Sequence, residues 1–227
     1  MLQFAQNVEF ENHTNYFEVL SSPEFDFIQQ RKKRLKFNKG ETICKQGTFA
    51  PNIMYLEEGF AKLCFQGANN KNLIIKVIKP YNFIGLSSLC GKNNCYHTVI
   101  TLTETTVNII EKDDFKKIIL NNSNFASKII EWYCNNDAFF FSRFFDVAIK
   151  QADVRLANAI LYLTEIKYNN KNLLSFITRK ELAELTNISV ECTIRLLSKF
   201  KNNGIIDIKG KAITIKRPEI LKNISEN

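Results

Sequence analysis

Glycine and proline divide this chain before any other feature is read. Six of its eight glycines lie between Gly40 and Gly91, and neither glycine nor proline occurs from Lys92 to Asn203. A long stretch without breakers suits helices, although its first part still reads as strand, whereas frequent breakers suit short strands joined by turns. Before and around Gly91, strand-like runs occupy residues 34–37, 42–44, 53–56, 60–65, 73–78, 97–102 and 106–110. The breaks between them carry Asn38-Lys-Gly40, Glu58-Gly59, Gly67-Ala-Asn-Asn70 and Pro80-Tyr-Asn82. Many short strands at a spacing of about ten residues predict a β-sandwich or jelly roll.

The pattern then turns helical. Lys112-Asp-Asp-Phe115 opens a short helix to about residue 120, and residues 122–149 read as one long helix. The middle of that helix, Ala138-Phe-Phe-Phe-Ser-Arg-Phe-Phe145, is apolar almost all round and must be covered on more than one side. Ile130, Cys134, Asp137, Phe141, Phe144 and Ala148 follow a 4-3-4-3-4 heptad spacing. One face fits the β-domain and another fits a sister helix in a parallel dimer; a central helix buried within a monomer is the alternative. Asp137 is a poor residue for a seam.

The last third carries the most specific pattern. Thr178-Arg-Lys-Glu181 fits a capping box, and Leu182, Ala183 and Leu185 give the following helix an apolar side. After the turn Thr186-Asn-Ile188, Ser189 caps a second helix from Val190 to about residue 202, which Gly204 ends. Cys192, Thr193, Leu196, Leu197 and Phe200 fall on one face of it; Val190, Glu191, Ile194, Arg195 and Ser198 fall on the other. Residues 205–208 and 212–215, joined by Lys209-Gly-Lys211, read as a hairpin. Two short helices followed by a two-stranded wing form a winged helix-turn-helix. The expected architecture is therefore α+β: a jelly-roll-like β-roll over residues 1–121, a long dimerisation helix and hinge over 122–151, and a winged helix-turn-helix over 152–227.

The exposed face suits a major groove. Arg195 can donate two hydrogen bonds to guanine O6 and N7, and Glu191, one turn earlier, can accept from cytosine N4. Val190 and Ile194 suit thymine methyls. Thr178, Arg179, Lys180, Ser189, Lys199, Lys209 and Lys211 are candidates for phosphate, setting register without reading sequence. The alternative is an amphipathic helix on which Glu191 and Arg195 form an i,i+4 surface pair. Charge points the same way: from Ala152 onward there are 13 basic and 8 acidic residues, +5 of the net +8.

Composition excludes other classes. With 45% hydrophobic and 24% charged residues the chain is neither disordered nor fibrous. No apolar run nears the roughly 20 residues that span a bilayer, and no secretory signal is visible, so a cytoplasmic protein without a membrane partner is expected. The six cysteines, Cys44, Cys64, Cys90, Cys95, Cys134 and Cys192, are too sparse for a disulfide framework and contain no CxxC. The two histidines, His13 and His97, cannot supply the metal ligands a cupin-type enzyme needs. A Cys–His pair of Cys90 or Cys95 with His97 lacks an orienting group or oxyanion motif. No catalytic residue, metal site or cofactor is expected. Cys90 and Cys95 flank a loop near His97 where a haem or thiol sensor is conceivable, small buried cysteines and a loop histidine being the plainer reading.

These motifs together resemble the Crp/Fnr superfamily of bacterial transcription regulators, over about residues 34–215. The most specific segment is Ile177-Thr-Arg-Lys-Glu-Leu-Ala-Glu-Leu-Thr-Asn-Ile-Ser-Val-Glu-Cys-Thr-Ile-Arg-Leu-Leu197. Lys39-Gly-Glu-Thr-Ile43, Gln46-Gly47, Tyr55-Leu-Glu-Glu-Gly59 and Phe83-Ile-Gly85 are similar to the family's β-roll, and Val154-Arg-Leu-Ala157 to the start of its DNA-binding domain. The resemblance implies a homodimer paired through the long helix. It also implies recognition helices in successive major grooves of promoter DNA, a near-palindromic site with a TGA-like core in each half, and contact with RNA polymerase. Glu191 and Arg195 match the family's base-reading pair. Val190 resembles the oxygen-responsive branch, and Ile194 departs from the serine or glycine common there.

The effector signatures are degenerate. Cyclic-AMP-binding members follow the glycine at the Gly85 position with a glutamate for the ribose, and carry an arginine and a serine for the phosphate. Here Leu86, Tyr96 and His97 stand there, which removes the acceptor and the counter-charge. No cysteine precedes Cys44, so the iron–sulfur branch's cluster is missing. The resemblance leaves an unknown small-molecule effector in the β-roll, or regulation by abundance alone.

Overall fold

The computed structural model describes residues 15–67, 71–91 and 93–226; His13 and the turn residues 68–70 lie outside them. The chain forms two compact units. One comprises residues up to 66 together with 76–142, the other residues 67–75 together with 143–227, so the division runs through the long helix.

In chain order the first eight strands are β1 (Lys33–Phe37), β2 (Thr42–Cys44), β3 (Asn52–Glu58), β4 (Ala61–Gln66), β5 (Asn72–Ile78), β6 (Phe83–Ile84), β7 (Thr98–Thr101) and β8 (Thr105–Glu111). They make two four-stranded sheets, ordered β1-β8-β3-β6 and β2-β7-β4-β5. The first is antiparallel throughout, and in the second β7 pairs antiparallel with both β2 and β4. First strands lying beside last ones is the jelly-roll-like wiring the strand spacing predicts. Gly59 turns β3 into β4 at φ +85°, and an added Cβ would come within 2.2 Å of the Glu104 carbonyl oxygen. Only glycine fits that turn.

One apolar cluster anchors this unit. Ile53, Tyr55, Phe83 and Ile110 from the first sheet meet Tyr16, Ile28, Leu86, Phe115, Phe125, Ile129 and Trp132. Phe83 is its hub, with ring centroids of Tyr16, Tyr55, Phe115 and Trp132 at 5.0–6.1 Å. Two of these residues belong to segments the periodicity did not anticipate, a 3-10 turn at Tyr16–Val19 and helix α1 (Ser22–Arg31). Helix α1 buries only Ile28 and so has almost no apolar period to read, although its capping box, Ser21 with Glu24, and its early proline are legible afterwards.

Helices α2 (Lys112–Asn121) and α3 (Ser123–Ile149) follow. Asn122 sits between them: its Oδ1 accepts from the Phe125 amide at 2.9 Å and its Nδ2 donates to the Val19 carbonyl at 3.2 Å. On α3, Phe125, Ile129, Trp132 and Asn136 are buried. Ile130, Cys134, Asp137, Phe141, Phe144 and Ala148, the six heptad positions, are all exposed.

The second unit is mostly helical: α4 (Ala152–Glu165), strands β9 (Lys167–Tyr168) and β10 (Lys171–Asn172), α5 (Arg179–Thr186), α6 (Val190–Asn202), strands β11 (Ile206–Lys209) and β12 (Ala212–Ile215), and α7 (Pro218–Ser225). Helix α4 is its core, burying Val154, Leu156, Ala157, Ala159, Ile160 and Leu163. Leu221 of α7 is fully buried. At the end of α3, the Asp146 carboxylate pairs with Lys150 at 2.9 Å and lies 3.8 Å from Arg143. An Arg143 Nη2 also donates to the Leu185 carbonyl at 2.6 Å, satisfying one of the orphan acceptors at the end of α5.

Candidate nucleic-acid interface

The helix pair of the second unit is fixed by local chemistry. Thr178 Oγ1 accepts from the Glu181 amide at 3.1 Å, and a Glu181 carboxylate oxygen accepts from the Thr178 amide at 2.8 Å. This reciprocal pair starts α5. Asn187 ends it in the left-handed region, φ 51°, one of the few side chains that tolerate this conformation. Ser189 Oγ then accepts from the Cys192 amide at 3.1 Å and starts α6.

Helix α6 is sharply two-faced. Thr193, Leu197 and Phe200 are buried, and the Thr193 hydroxyl donates back to the Ser189 carbonyl at 3.0 Å. Glu191, Ile194, Arg195, Ser198 and Lys199 are exposed, while Val190 and Cys192 are half-buried. Glu191 and Arg195 make no ion pair with each other among the described residues. The Arg195 Nη2 instead leans toward Cys192 Sγ at 3.7 Å. The Glu191 carboxyl folds onto the helix start, where its own backbone N–H, and then the Ser189 hydroxyl, hold it below the usual carboxylate range. The helix N-terminus favours the anion in the same sense. Both charges remain presented outward rather than cancelling.

The phosphate candidates are exposed with one exception. Thr178, Lys180, Ser189, Lys199, Lys209 and Lys211 are exposed. Lys180 lies 3.9 Å from Glu184 and Ser189 spends its oxygen on the cap. Arg179 differs: it is half-buried, and burial pulls its guanidinium below the ordinary arginine range. Lys209 pairs with Ala212 across a two-residue turn in which Gly210 takes φ +57°, so both wing lysines stand at the tip of the hairpin. Sequence reasoning missed Lys201. Its Nζ donates to the Ile208 carbonyl at 3.1 Å and lies 3.8 Å from Asp207, tying the wing to α6. It also missed the exposed Arg217, whose guanidinium lies 4.0 Å from where a Cβ on Gly204 would stand. The Lys216-Arg217 pair just after the wing was the available signal.

In the first unit, the four residues at the degenerate effector positions differ in conformation and exposure. Gly85 adopts φ +89° and begins a 3-10 turn; Leu86 is buried in the apolar cluster around Phe83; Tyr96 is exposed; His97 is half-buried. Burial, and secondarily the Lys76 ammonium, bring the His97 imidazole down to about 4. An unfolded histidine titrates near 6.5. The unfolded chain therefore takes up this proton first, and the stability held in the neutral ring is complete above that value and lost as pH falls toward 4. Between pH 7 and pH 4 the wild type is expected to lose roughly 2–3 kcal/mol more in urea unfolding than His97→Gln. Equal losses would contradict a buried neutral ring. Among the described residues no group of three or more His, Cys, Asp or Glu is placed to hold a metal, and no helix is long and apolar enough to cross a membrane.

Comparison with known proteins agrees with both units. The cyclic nucleotide-binding domain model matches residues 34–122, and the Crp-like helix-turn-helix domain model matches residues 154–224. No curated protein sequence matches the chain. Similar solved structures include a Crp/Fnr-family protein of Eubacterium rectale, 17% identical with a TM-score of 0.79 over 94% of this chain and 100% of the other. FixK2 of Bradyrhizobium japonicum is 16% identical, with a TM-score of 0.74 over 85% of this chain and 96% of its own. The c-di-GMP-responsive global regulator CLP of Xanthomonas campestris is 16% identical, with a TM-score of 0.73 over 86% and 99%. At such identities the likeness is one of fold. With both domain models matched in order over more than two thirds of its length, the chain belongs to the Crp/Fnr superfamily of transcription regulators.

Proposed function

We propose that this chain acts as a homodimer that reads a near-palindromic DNA site with TGA-like half-site cores, working in the cytoplasm as a regulator and not as a catalyst. The observation that carries the reading is Arg195: an exposed guanidinium without a carboxylate partner among the described residues, on a helix whose opposite face is buried. A guanidinium held this way is free to make a bidentate contact with guanine, and Glu191 on the preceding turn to accept from cytosine. In this reading Val190 and Ile194 meet thymine methyls, and Thr178, Arg179, Lys180, Ser189, Lys199, Lys209 and Lys211 contact phosphates and set register. The dimer rests on the exposed heptad face of α3, and RNA polymerase is the expected protein partner.

The test is selection of bound fragments from random duplex DNA, followed by a salt titration of the selected site. The expected result is an inverted repeat whose affinity falls steeply as salt rises. Recovery of no sequence, or of an affinity indifferent to salt, would leave a ligand-binding module without DNA readout. The β-roll is expected not to bind cyclic AMP tightly, because Leu86 lies in the core and Tyr96 carries no charge for a phosphate. Calorimetric titration with the nucleotide is expected to give no saturable heat at micromolar concentration; tight binding abolished by changes at these positions would refute this.

A further inference from the structure

Between Glu191 and Glu219 the chain carries seven basic residues and a single acid, Asp207. A carboxylate close to phosphates repels them, so an acid on the first strand of the wing runs against the charge around it. Its contacts show what it does instead. Asp207 Oδ1 accepts from the Ile208 amide at 2.8 Å and lies 3.8 Å from Lys201 Nζ. The same ammonium donates to the Ile208 carbonyl at 3.1 Å.

The strand register explains why both backbone groups of Ile208 are available. Lys209 and Ala212 flank the two-residue turn, and Ile208 faces Ile213 in the next pair. Bonded and non-bonded pairs alternate along an antiparallel ladder, and the pair that closes a two-residue turn is a bonded one. The Ile208 amide and carbonyl therefore point away from β12, along the free edge of β11. Asp207 takes the amide, and Lys201, in the last turn of α6, takes the carbonyl. The tie matters because apolar burial fades toward the tip. Ile206 and Ile213 are buried, Ile208 and Ile215 are half-buried, and residues 209–212 are exposed. A two-stranded ribbon has little stability of its own.

We propose that Lys201 and Asp207 are positioning residues for DNA binding. They brace β11 against the end of α6, so that Lys209 and Lys211 are presented to phosphate at a set distance from Arg195. Lys201 is engaged within the molecule and does not itself meet a phosphate. Asp207 supports the binding of a polyanion although its charge has the wrong sign for it. The inference rests on the DNA reading proposed above and assigns two further residues to it.

The first measurement is amide hydrogen exchange on the full chain without DNA. Lys201→Met and Asp207→Ala are each expected to exchange faster over residues 205–216, while α4 and the β-roll strands keep their protection and so report an intact fold. The second is fluorescence anisotropy on the selected duplex across a salt series. Lys201→Met is expected to lose roughly three- to tenfold, with a salt slope lower by about one to two. In a chain whose Lys209 and Lys211 are already alanine, the same substitution is expected to cost less than about twofold, because there is no wing charge left to place. Asp207→Ala is expected to weaken binding as well, although it removes a negative charge. Three results overturn the brace. One is exchange over the wing that neither substitution alters. Another is unchanged or tighter binding by Asp207→Ala. The third is a Lys201→Met loss of equal size with and without the wing lysines, which would make Lys201 a phosphate contact in its own right. Each leaves wild-type binding intact and removes the brace alone, whereas a wild-type chain that holds no duplex removes the DNA reading and the brace with it.

Discussion

Phe141→Glu combined with Phe144→Glu is expected to yield a folded monomer that has lost most of its specific DNA affinity. These two rings are 67% and 74% exposed, and they stand with Ile130, Cys134, Asp137 and Ala148 on the side of α3 opposite its buried residues. Tyr133, Phe140, Phe145 and Ile149 widen the bare apolar strip. A contiguous strip of this kind on a helix marks an association surface, and the heptad spacing makes a parallel sister helix its natural cover. Two carboxylates per helix in that seam would face two more across it. Since neither ring supports the chain's own core, circular dichroism and the unfolding midpoint are expected to change little. Light scattering is expected to halve the molar mass, and affinity for an inverted repeat to fall at least roughly 100-fold once two half-sites are no longer held by one particle. A wild-type chain that is monomeric at micromolar concentration, or a variant that keeps the wild-type mass, would remove α3 as the seam.

Arg195→Ala is expected to cost about 1–3 kcal/mol on the selected site, a loss of roughly 5- to 150-fold, with relaxed preference at one base pair and little change on unrelated DNA. Arg195→Lys is not expected to restore it, because an ammonium cannot reproduce the planar fork. Lys209→Ala at the wing tip provides the contrast, weakening all sequences similarly and lowering the salt slope by about one. Fluorescence anisotropy on matched and single-mismatch duplexes separates the two patterns. If Arg195→Ala behaved as Lys209→Ala is expected to, Arg195 would be a phosphate contact and the base-reading assignment would fail.

How far the sequence alone reached depended on whether the signal was local. The helix pair of the second unit was legible in outline because each cap is encoded within three or four residues: Thr178 with Glu181, and Ser189 with the Cys192 amide. The strands of the β-roll were legible from their spacing, with ends displaced by a residue or two. The short β6 was missed because two residues carry no alternation. Helix α4 was read only as a resemblance at Val154-Arg-Leu-Ala157, since it is buried on several sides and has a weak amphipathic period. For α6, sequence left open whether Glu191 and Arg195 bind each other; the rotamers decide, one side chain folding onto the helix start and the other leaning on Cys192.

Helix α7 has a consequence for how the second unit is made. Its Leu221 is completely enclosed, and α7 packs against α4, which precedes it by the whole helix pair and wing. The groove that Leu221 fills thus stays open until α7 itself has left the ribosome. The β-roll strands, synthesised long before, have time to pair on the nascent chain. The helical unit completes its interior last, so translation that stops ahead of Pro218 is expected to deliver an intact β-roll joined to an unsealed and protease-sensitive remainder.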